Sequence, residues 1–321
     1  MRAVRVHGFR QSAVIRVDEV ERPAAPTGQD LLIAVSASSV NGTDLMLRRG
    51  DVALARLQRA PVSLGFDVVG TVIDCGRSVT AFERGDRVMA LLGHAGGGQS
   101  EFAVVPQRSA ALVPESMTDA EAAALPLAGL TALQALRGVA ALGATAGQRV
   151  CVTGAAGGIG SFAVQLAALS GATVTAVAGA GREDYLRGLG ADAVLDRRTT
   201  DPFDGSERWD IVLDAPGRLA FDTVRPALSP RGVLVSTRPV SVDSLRMLVP
   251  RLPGSRNPRY AIVTTRRDGR DLDYLARLVR EKRLVVPIDR AFAMDDVAAA
   301  HRHAESGGVR GKVVVTVDAS T

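Results

Sequence analysis

The alternation of apolar and polar positions divides the chain into two regimes. Toward the N-terminus, short apolar runs at Ala3–Val6, Val14–Val17, Leu31–Val35, Val68–Ile73, Arg87–Ala90 and Glu101–Val105 are separated by turns, with Pro23, Pro26 and many glycines as punctuation. Such runs predict a compact, mostly antiparallel β domain. From Asp119 the period becomes helical. The segment DAEAAALPLAGLTALQALRGV offers Thr118 or Asp119 as N-cap and predicts a helix interrupted at Pro126 and Gly129, because proline lacks the backbone donor and crowds the preceding turn.

The sharpest change of pattern lies in Arg149–Gly171, RVCVTGAAGGIGSFAVQLAALSG. Arg149–Thr153 is a mostly β-branched apolar run, as a buried parallel strand requires. It stops at the small residues Gly154–Gly160, after which Phe162, Ala163, Leu166, Ala167 and Leu169 recur at helical spacing until Gly171 ends the helix. Strand, glycine turn and helix in that order form the phosphate end of a dinucleotide fold. Small residues let the backbone approach a pyrophosphate, and the helix N-terminus offers free N–H groups and a positive dipole end. In register the loop reads Ala155-Ala156-Gly157-Gly158-Ile159-Gly160, with alanine at the first fingerprint position. A bare structural turn would share these glycines; the preceding strand, the following helix and a second strand at Thr173–Val177 favour nucleotide binding, with Ala156, Gly157, Gly158 and Ile159 as candidate phosphate contacts.

Strand and helix patterns continue to alternate, with strands at Thr173–Val177, Ala193–Leu195, Ile211–Asp214, Gly232–Ser236 and Ala261–Val263. With the first they predict six parallel strands in two halves, a doubly wound sheet. A helix near Leu272–Glu281, an extended segment Val285–Phe292, a helix from Asp295 and a strand Lys312–Val317 close the chain. Lacking a further glycine fingerprint, this tail is assigned back to the first domain.

Length and composition agree. The 321 residues exceed a domain of about 150, so two domains are expected. A hydrophobic content of 46% with 23% charged residues is that of a soluble globular protein. Neither a signal peptide nor a bilayer-length apolar run is evident, so a cytoplasmic protein without a membrane partner is expected. The net charge of +5 prompts a nucleic-acid hypothesis. Its cations are nearly all arginine, with lysine only at Lys282 and Lys312, and are spread beside acids, so no nucleic-acid partner is expected. Cys75 and Cys151 are too few for a disulfide framework or a multi-cysteine zinc site, and Cys151 in its apolar strand reads as core.

Several short landmarks follow one another across nearly the whole chain: Asn41-Gly42-Thr43-Asp44, Gly65-Phe66-Asp67-Val68-Val69-Gly70, Gly85-Asp86-Arg87-Val88, Leu125-Pro126 with Gly129-Leu130-Thr131-Ala132, the glycine loop, Leu189-Gly190-Ala191-Asp192 and Gly311-Lys312-Val313-Val314. In this order and spacing the chain resembles the medium-chain dehydrogenase/reductase superfamily, specifically its zinc-lacking quinone oxidoreductase and enone reductase branch. The resemblance implies an α/β fold with a GroES-like β domain over residues 1–122 and a doubly wound Rossmann domain, with a six-stranded parallel sheet, over 123–262. A C-terminal segment, 263–321, would return to the catalytic domain, and the active site would occupy the cleft between. It also implies a homodimer joined through sheet edges near Gly232–Ser236.

In zinc-dependent relatives a ligating Cys occupies the position of Asn41 and a Gly-His-Glu motif that of Gly65-Phe66-Asp67. Neither Asn nor Phe replaces a thiolate or imidazole ligand, and His7, His94, His301 and His303 have no carboxylate or cysteine neighbours at ligand spacing, so no metal is expected. The chemistry most easily served without that Lewis acid is hydride transfer from a reduced nicotinamide to an electron-poor carbon of a small quinone or α,β-unsaturated carbonyl. The developing enolate then needs a hydrogen-bond donor. By resemblance, Asn41 and Thr131 lie near the nicotinamide and orient it or the substrate carbonyl, and Lys312 belongs to the cofactor site. A turn-capping Asn and a backbone-bonded helix Thr are the alternatives. Tyr185, Tyr260 and Tyr274 are the only tyrosines, and none stands where some relatives carry one; Tyr260 either reaches the cleft or packs in the core.

The second Rossmann strand ends Val177-Ala178-Gly179-Ala180-Gly181-Arg182. An enzyme using NAD usually places Asp or Glu there, about 20 residues beyond the loop, to accept from the ribose hydroxyls. The first charge here is cationic, so NADP(H) is expected, with Gly179 and Arg182 at its 2′-phosphate. Relatives often carry Ser at the position of Gly179, a basic residue at that of Gly181 and Tyr at that of Arg197. This chain departs at all three, and Arg197 is a second candidate phosphate partner. Both arginines also read as solvated surface. The expected function is a zinc-independent, NADPH-dependent reductase of a quinone or activated C=C. A biosynthetic tailoring enoyl reductase would share every motif. A non-catalytic NADP(H)-binding redox sensor or scaffold is the rival, against which Asn41, Asp44 and Thr131 argue.

Overall fold

The computed structural model describes residues 1–8, 14–51, 60–143, 145–238 and 257–317. In chain order its elements are β1 (Arg2–His7), β2 (Val14–Glu19), β3 (Asp30–Val40), α1 (Gly42–Arg49), β4 (Val62–Ser63), β5 (Asp67–Cys75), β6 (Arg87–Leu91), β7 (Phe102–Pro106), β8 (Ala110–Leu112), α2 (Asp119–Ala124) and α3 (Pro126–Leu133). There follow β9 (Arg149–Thr153), α4 (Gly158–Leu169), β10 (Thr173–Ala178), α5 (Glu183–Gly188), β11 (Ala193–Asp196), β12 (Trp209–Asp214), α6 (Phe221–Val224), β13 (Leu228–Ser236) and β14 (Arg259–Ile262). The chain then runs through α7 (Gly269–Arg280), β15 (Ile288–Ala293), α8 (Val297–Glu305) and β16 (Lys312–Thr316). Two compact units result: Met1–Leu130 together with Arg266–Thr321, and Thr131–Thr265 inserted between them in sequence. Among the described residues, no helix is long and apolar enough to cross a membrane.

In the first unit β3 is the central strand. Its Leu31, Ile33 and Val35 reach the core at every second position, and from Ala37 to Val40 every residue is buried, so the end of the strand is covered on both faces. It pairs antiparallel with β5, β7 and β16, and the larger sheet runs β15-β16-β3-β5-β6-β8. A smaller sheet has the order β2-β1-β4. Val4, Ile33, Val68, Val88, Val313 and Val315 belong to one hydrophobic core, so the C-terminal strand is interior to the unit. Thr118 caps α2 by a reciprocal pair: its hydroxyl accepts from Glu121 N–H while the Glu121 carboxylate accepts from Thr118 N–H at 2.8 Å. The interruption expected at Pro126 is present, since α2 ends at Ala124 and Pro126 opens α3, whereas the one expected at Gly129 is not, because α3 runs through it. Helix α1 and the short strands β4 and β8 were not legible as elements.

The second unit carries a six-stranded parallel sheet in the order β11-β10-β9-β12-β13-β14, the doubly wound arrangement expected. Cys151 lies in its core with Val177, Trp209, Val212 and Leu234, and burial pushes its thiol up to about 12. Tyr260 packs against that core beside the Phe221 ring, 6.0 Å between centroids, which answers its open reading in favour of packing. Gly171 follows the α4 terminus in the left-handed conformation, φ +74°, a placement that glycine adopts without steric cost.

His301, on α8, is completely buried, and among the described residues neither ring nitrogen has a hydrogen-bond partner. Burial, with the Arg48 charge second, lowers its pKa from 6.5 to about 3. The unfolded chain therefore binds the proton first, so His301 contributes stability above about pH 6.5 that is lost as pH falls toward 3. By pH 5 the loss should be about 2 kcal/mol. Urea unfolding of the parent and of His301→Leu at pH 7 and pH 5 checks this; the leucine variant should lose markedly less between the two, and equal losses would refute it.

Candidate functional site

Parallel pairing in the second unit brings the carboxyl ends of its strands into one row. Asp196 pairs with Ala178, Thr153 with Val177 and Asp214, and Ser236 with Asp214 and Ile262. In such sheets the carboxyl edge beside the central strand is where ligands bind, because neighbouring connections leave there in opposite directions. The glycine loop rises from this edge. Its tight turn belongs to Gly154, φ +63°, over which Pro216 lies so closely that a Cβ would stand 2.6 Å from the proline ring. Ala155 is buried and its N–H donates to Val177 O at 3.1 Å. The alanine at the first fingerprint position therefore needs no left-handed backbone, and the glycine one residue earlier makes the turn.

Gly160 occupies the position where helix and strand pack most closely, since a Cβ there would come within 2.3 Å of Gly154 O and 2.6 Å of Ala155 Cα. Between the two, Gly157 is the N-cap of α4, makes no side-chain cap, and the first turn holds no acid. Gly157, Gly158 and Ile159 are only half-buried, while Ala156 is buried. A Cβ on Gly157 would meet nothing nearer than Gly154 O at 3.5 Å. An uncapped helix N-terminus whose first turn holds no carboxylate fits an anionic pyrophosphate. Below it, the buried Asp214 carboxylate accepts from Thr153 Oγ1 at 3.3 Å, Ser236 Oγ at 3.1 Å and Leu219 N–H at 2.8 Å, tying three strand ends together.

At the end of β10, Gly179 has open space in the Cβ direction, Gly181 is left-handed at φ +71°, and Arg182 precedes α5 half-buried. Arg197 is exposed, and its N–H donates to Ala178 O at 2.9 Å. Both arginines thus leave the chain at the same edge. Thr131 is buried and its hydroxyl is hydrogen-bonded to that of Thr265 at 2.7 Å, joining α3 to the segment after β14.

The first unit holds a buried polar cluster that strand register assembles. Val313 pairs with Val40 and Ala37 with Val69; continued toward β3's end, these registers set Lys312 across from Asn41 and Asp67 across from Ser39. Asp67 is completely buried. Its Oδ2 accepts from Ser39 Oγ, from Asn41 Nδ2 at 2.8 Å and from Lys312 Nζ at 3.4 Å, and its Oδ1 accepts from Leu127 N–H at 2.6 Å. Lys312 Nζ also donates to Asn41 Oδ1. Lys312, expected at the cofactor, is 3% exposed, and these contacts hold its ammonium inside the first unit. Asp44 accepts from Asn41 N–H and Gly65 N–H, each at 2.8 Å, which fixes the start of α1. Burial, opposed by those two hydrogen bonds, raises its pKa to about 6. The folded state therefore holds the proton longer, and the stability Asp44 contributes below about pH 4 is lost as pH rises through 6.

Of the cluster, Asp67 and the Lys312 contacts were not identified as site features. The available signal was a carboxylate opening an otherwise apolar strand, which must find donors when buried. A zinc ligand set does not fit here: an amide, a phenyl ring and a carboxylate already held by four donors stand at the ligand positions, with an ammonium beside them. Among the described residues, no three His, Cys, Asp or Glu side chains converge as a metal site would require. Two histidines do find carboxylates that spacing did not reveal, His7 with Asp18 at 2.6 Å and His303 with Asp289 at 2.5 Å.

Residues 27–115 match the alcohol dehydrogenase GroES-like domain family, and residues 189–315 match the zinc-binding dehydrogenase family. The chain is 31% identical to a chloroplast envelope quinone oxidoreductase homolog of Arabidopsis thaliana, over 93% of each chain. It is also 31% identical to the mitochondrial NAD(P)H oxidoreductase RTN4IP1 of Mus musculus, over 90% of this chain and 82% of that one. Among solved structures, the quinone oxidoreductase from Coxiella burnetii superposes with a TM-score of 0.89 at 28% identity, covering 99% of both chains. A GroES-like unit carrying an inserted Rossmann unit defines the class. The chain belongs to the medium-chain dehydrogenase/reductase superfamily, in its zinc-lacking quinone oxidoreductase branch.

The closeness of α4 to the loop makes a stability prediction. Gly160→Ala must push helix and loop apart against backbone atoms, and should cost about 1–3 kcal/mol in urea unfolding. An unchanged midpoint would show that the helix slides freely.

Proposed function

We propose that the protein is a zinc-independent reductase that uses NADPH to reduce a small quinone or the activated C=C bond of an α,β-unsaturated carbonyl. An NAD(P)H oxidoreductase is the reading that its relatives favour. The observation that carries the cofactor preference is the end of β10, where residues 179–181 hold no carboxylate, Arg182 is the first charged residue, and Arg197 is tied to the same strand end by its N–H to Ala178 O. In this reading the α4 N-terminus and residues Ala156–Ile159 hold the pyrophosphate, and Gly179 leaves room for the 2′-phosphate beside Arg182 and Arg197. The cofactor, when bound, supplies hydride to an electron-poor carbon. The residues around it orient the partners, with Asn41 and Thr131 nearest the nicotinamide; orientation alone accounts for a large share of such rate enhancements. A homodimer joined through the sheet edge near Gly232–Ser236, in the strand next to the terminal β14 of the described sheet, belongs to the same proposal.

NADPH oxidation followed at the nicotinamide absorbance band against a panel of quinones, enones and enals tests the activity. Turnover should survive exhaustive chelation. Loss on chelation with recovery on adding zinc would overturn zinc independence, and normal NADPH binding without any turnover would favour the sensor or scaffold.

The 2′-phosphate reading has its own test. A charge-assisted pair to phosphate is worth about 1.5–3 kcal/mol, so Arg182→Ala should weaken NADPH binding by about one to two orders of magnitude with NADH nearly unchanged. Fluorescence titration with both cofactors decides it, and equal losses would show that the phosphate is read elsewhere.

A further inference from the structure

The chemistry around Asn41 leaves its carboxamide one orientation. A lysine ammonium only donates, and both oxygens of Asp67 face donors, so the amide oxygen must point to Lys312 and the amide nitrogen to Asp67. Turned the other way, donor would face donor and acceptor would face acceptor. The nitrogen lies 2.8 Å from Asp67 Oδ2 and 3.3 Å from Ser39 Oγ, and the Ser39 hydroxyl in turn donates to the same carboxylate. Both amide N–H groups therefore have acceptors inside the first unit. The Asn41 oxygen takes the Lys312 ammonium and also faces the Asp44 N–H of the reciprocal cap that opens α1, so the carboxamide is engaged on every polar edge inside the first unit.

We propose that Lys312 and Asp67 are positioning residues: a buried ion pair that locks the Asn41 carboxamide in one orientation, with both its N–H groups turned inward and unable to donate to the reacting groups. This rests on the reductase reading, in which Asn41 adjoins the nicotinamide or the substrate. With both N–H groups engaged internally, Asn41 is unsuited as the donor to an enolate oxygen. The donor to that oxygen is then another group or a water molecule. The ligand positions of zinc-dependent relatives are here spanned by a fixed internal cation, since Lys312 crosses from β16 to Asn41 and Asp67 through register alone. Misplacing an orienting group by about 1 Å can lower a rate by roughly 100-fold, so the clamp has a kinetic consequence as well as a structural one.

The chain carries asparagine only at 41 and 257, so selective ¹⁵N-asparagine labelling of the full protein yields two side-chain amides, assigned through Asn257→Asp. The Asn41 amide protons should exchange slowly with solvent in the parent. In the charge-neutral pair Asp67→Leu/Lys312→Met, which avoids stranding a buried charge and adds no further asparagine, exchange should quicken about tenfold or more. With the best acceptor from the panel, kcat of that double variant should fall about tenfold or more while KM for NADPH stays within about twofold, and Lys312→Arg should recover part of the loss. A folded double variant with parental kcat and a slowly exchanging Asn41 amide would overturn the clamp, as would fast exchange in the parent. If the parent turns over no acceptor, the reductase reading fails, and the exchange measurement still decides whether Asn41 is locked.

Discussion

A carboxylate with no exposure has to be surrounded by donors, and the donors around Asp67 set the construction of the first unit. They come from the end of β3, where Ser39 and Asn41 lie, from Lys312 on β16 and from the Leu127 N–H in α3. No local stretch of chain supplies them. The unit therefore reaches its final polar arrangement only when the C-terminal tail has paired with β3 and α3 has reached the start of β5. Stranding either member of the ion pair would cost about 3–5 kcal/mol, so the same interaction that shapes the site also joins the unit's most distant segments.

The second unit solves a related problem at the carboxyl edge of its sheet. Three strand ends meet at Asp214, whose carboxylate takes the hydroxyls of Thr153 and Ser236 and the N–H of Leu219. Thr153 leads directly into Gly154, and Pro216 presses on that glycine from the β12 side. The turn that lifts the loop above the edge is thus held from below by a satisfied buried acid and from the side by a ring. Gly160 then allows α4 to approach the turn, and the helix N-terminus is left without a side-chain cap. Small residues do different jobs along these few positions, left-handed turn, open cradle and close packing, and only the middle one concerns a ligand.

The elements themselves were largely legible in the chain. Six parallel strands, the glycine loop, the break at Pro126 and the reciprocal Thr118–Glu121 cap all follow from period, β-branching and capping chemistry, which act over a few residues. Helix α1 was missed because its signal is short: Asn41 followed three residues later by Asp44, ended by the left-handed Gly50. At the loop, the alignment of the fingerprint on Ala155 concealed that Gly154 carries the turn, a matter of backbone angle that one-letter spacing does not record.

What the amino-acid sequence determined alone was therefore the kind of element at each place, the zinc-incompatible residues at positions 41 and 66, and the cationic end of β10. Tertiary structure decided which polar groups meet. Lys312 and Asn41 are separated by 271 residues, and nothing local distinguishes a lysine that reaches a ligand from one that is buried against a carboxylate. That choice rests on strand register, which is set cooperatively by the hydrophobic faces of β16, β3 and β5; a slip of one residue would turn Lys312 to the opposite face and leave Asp67 without its cation.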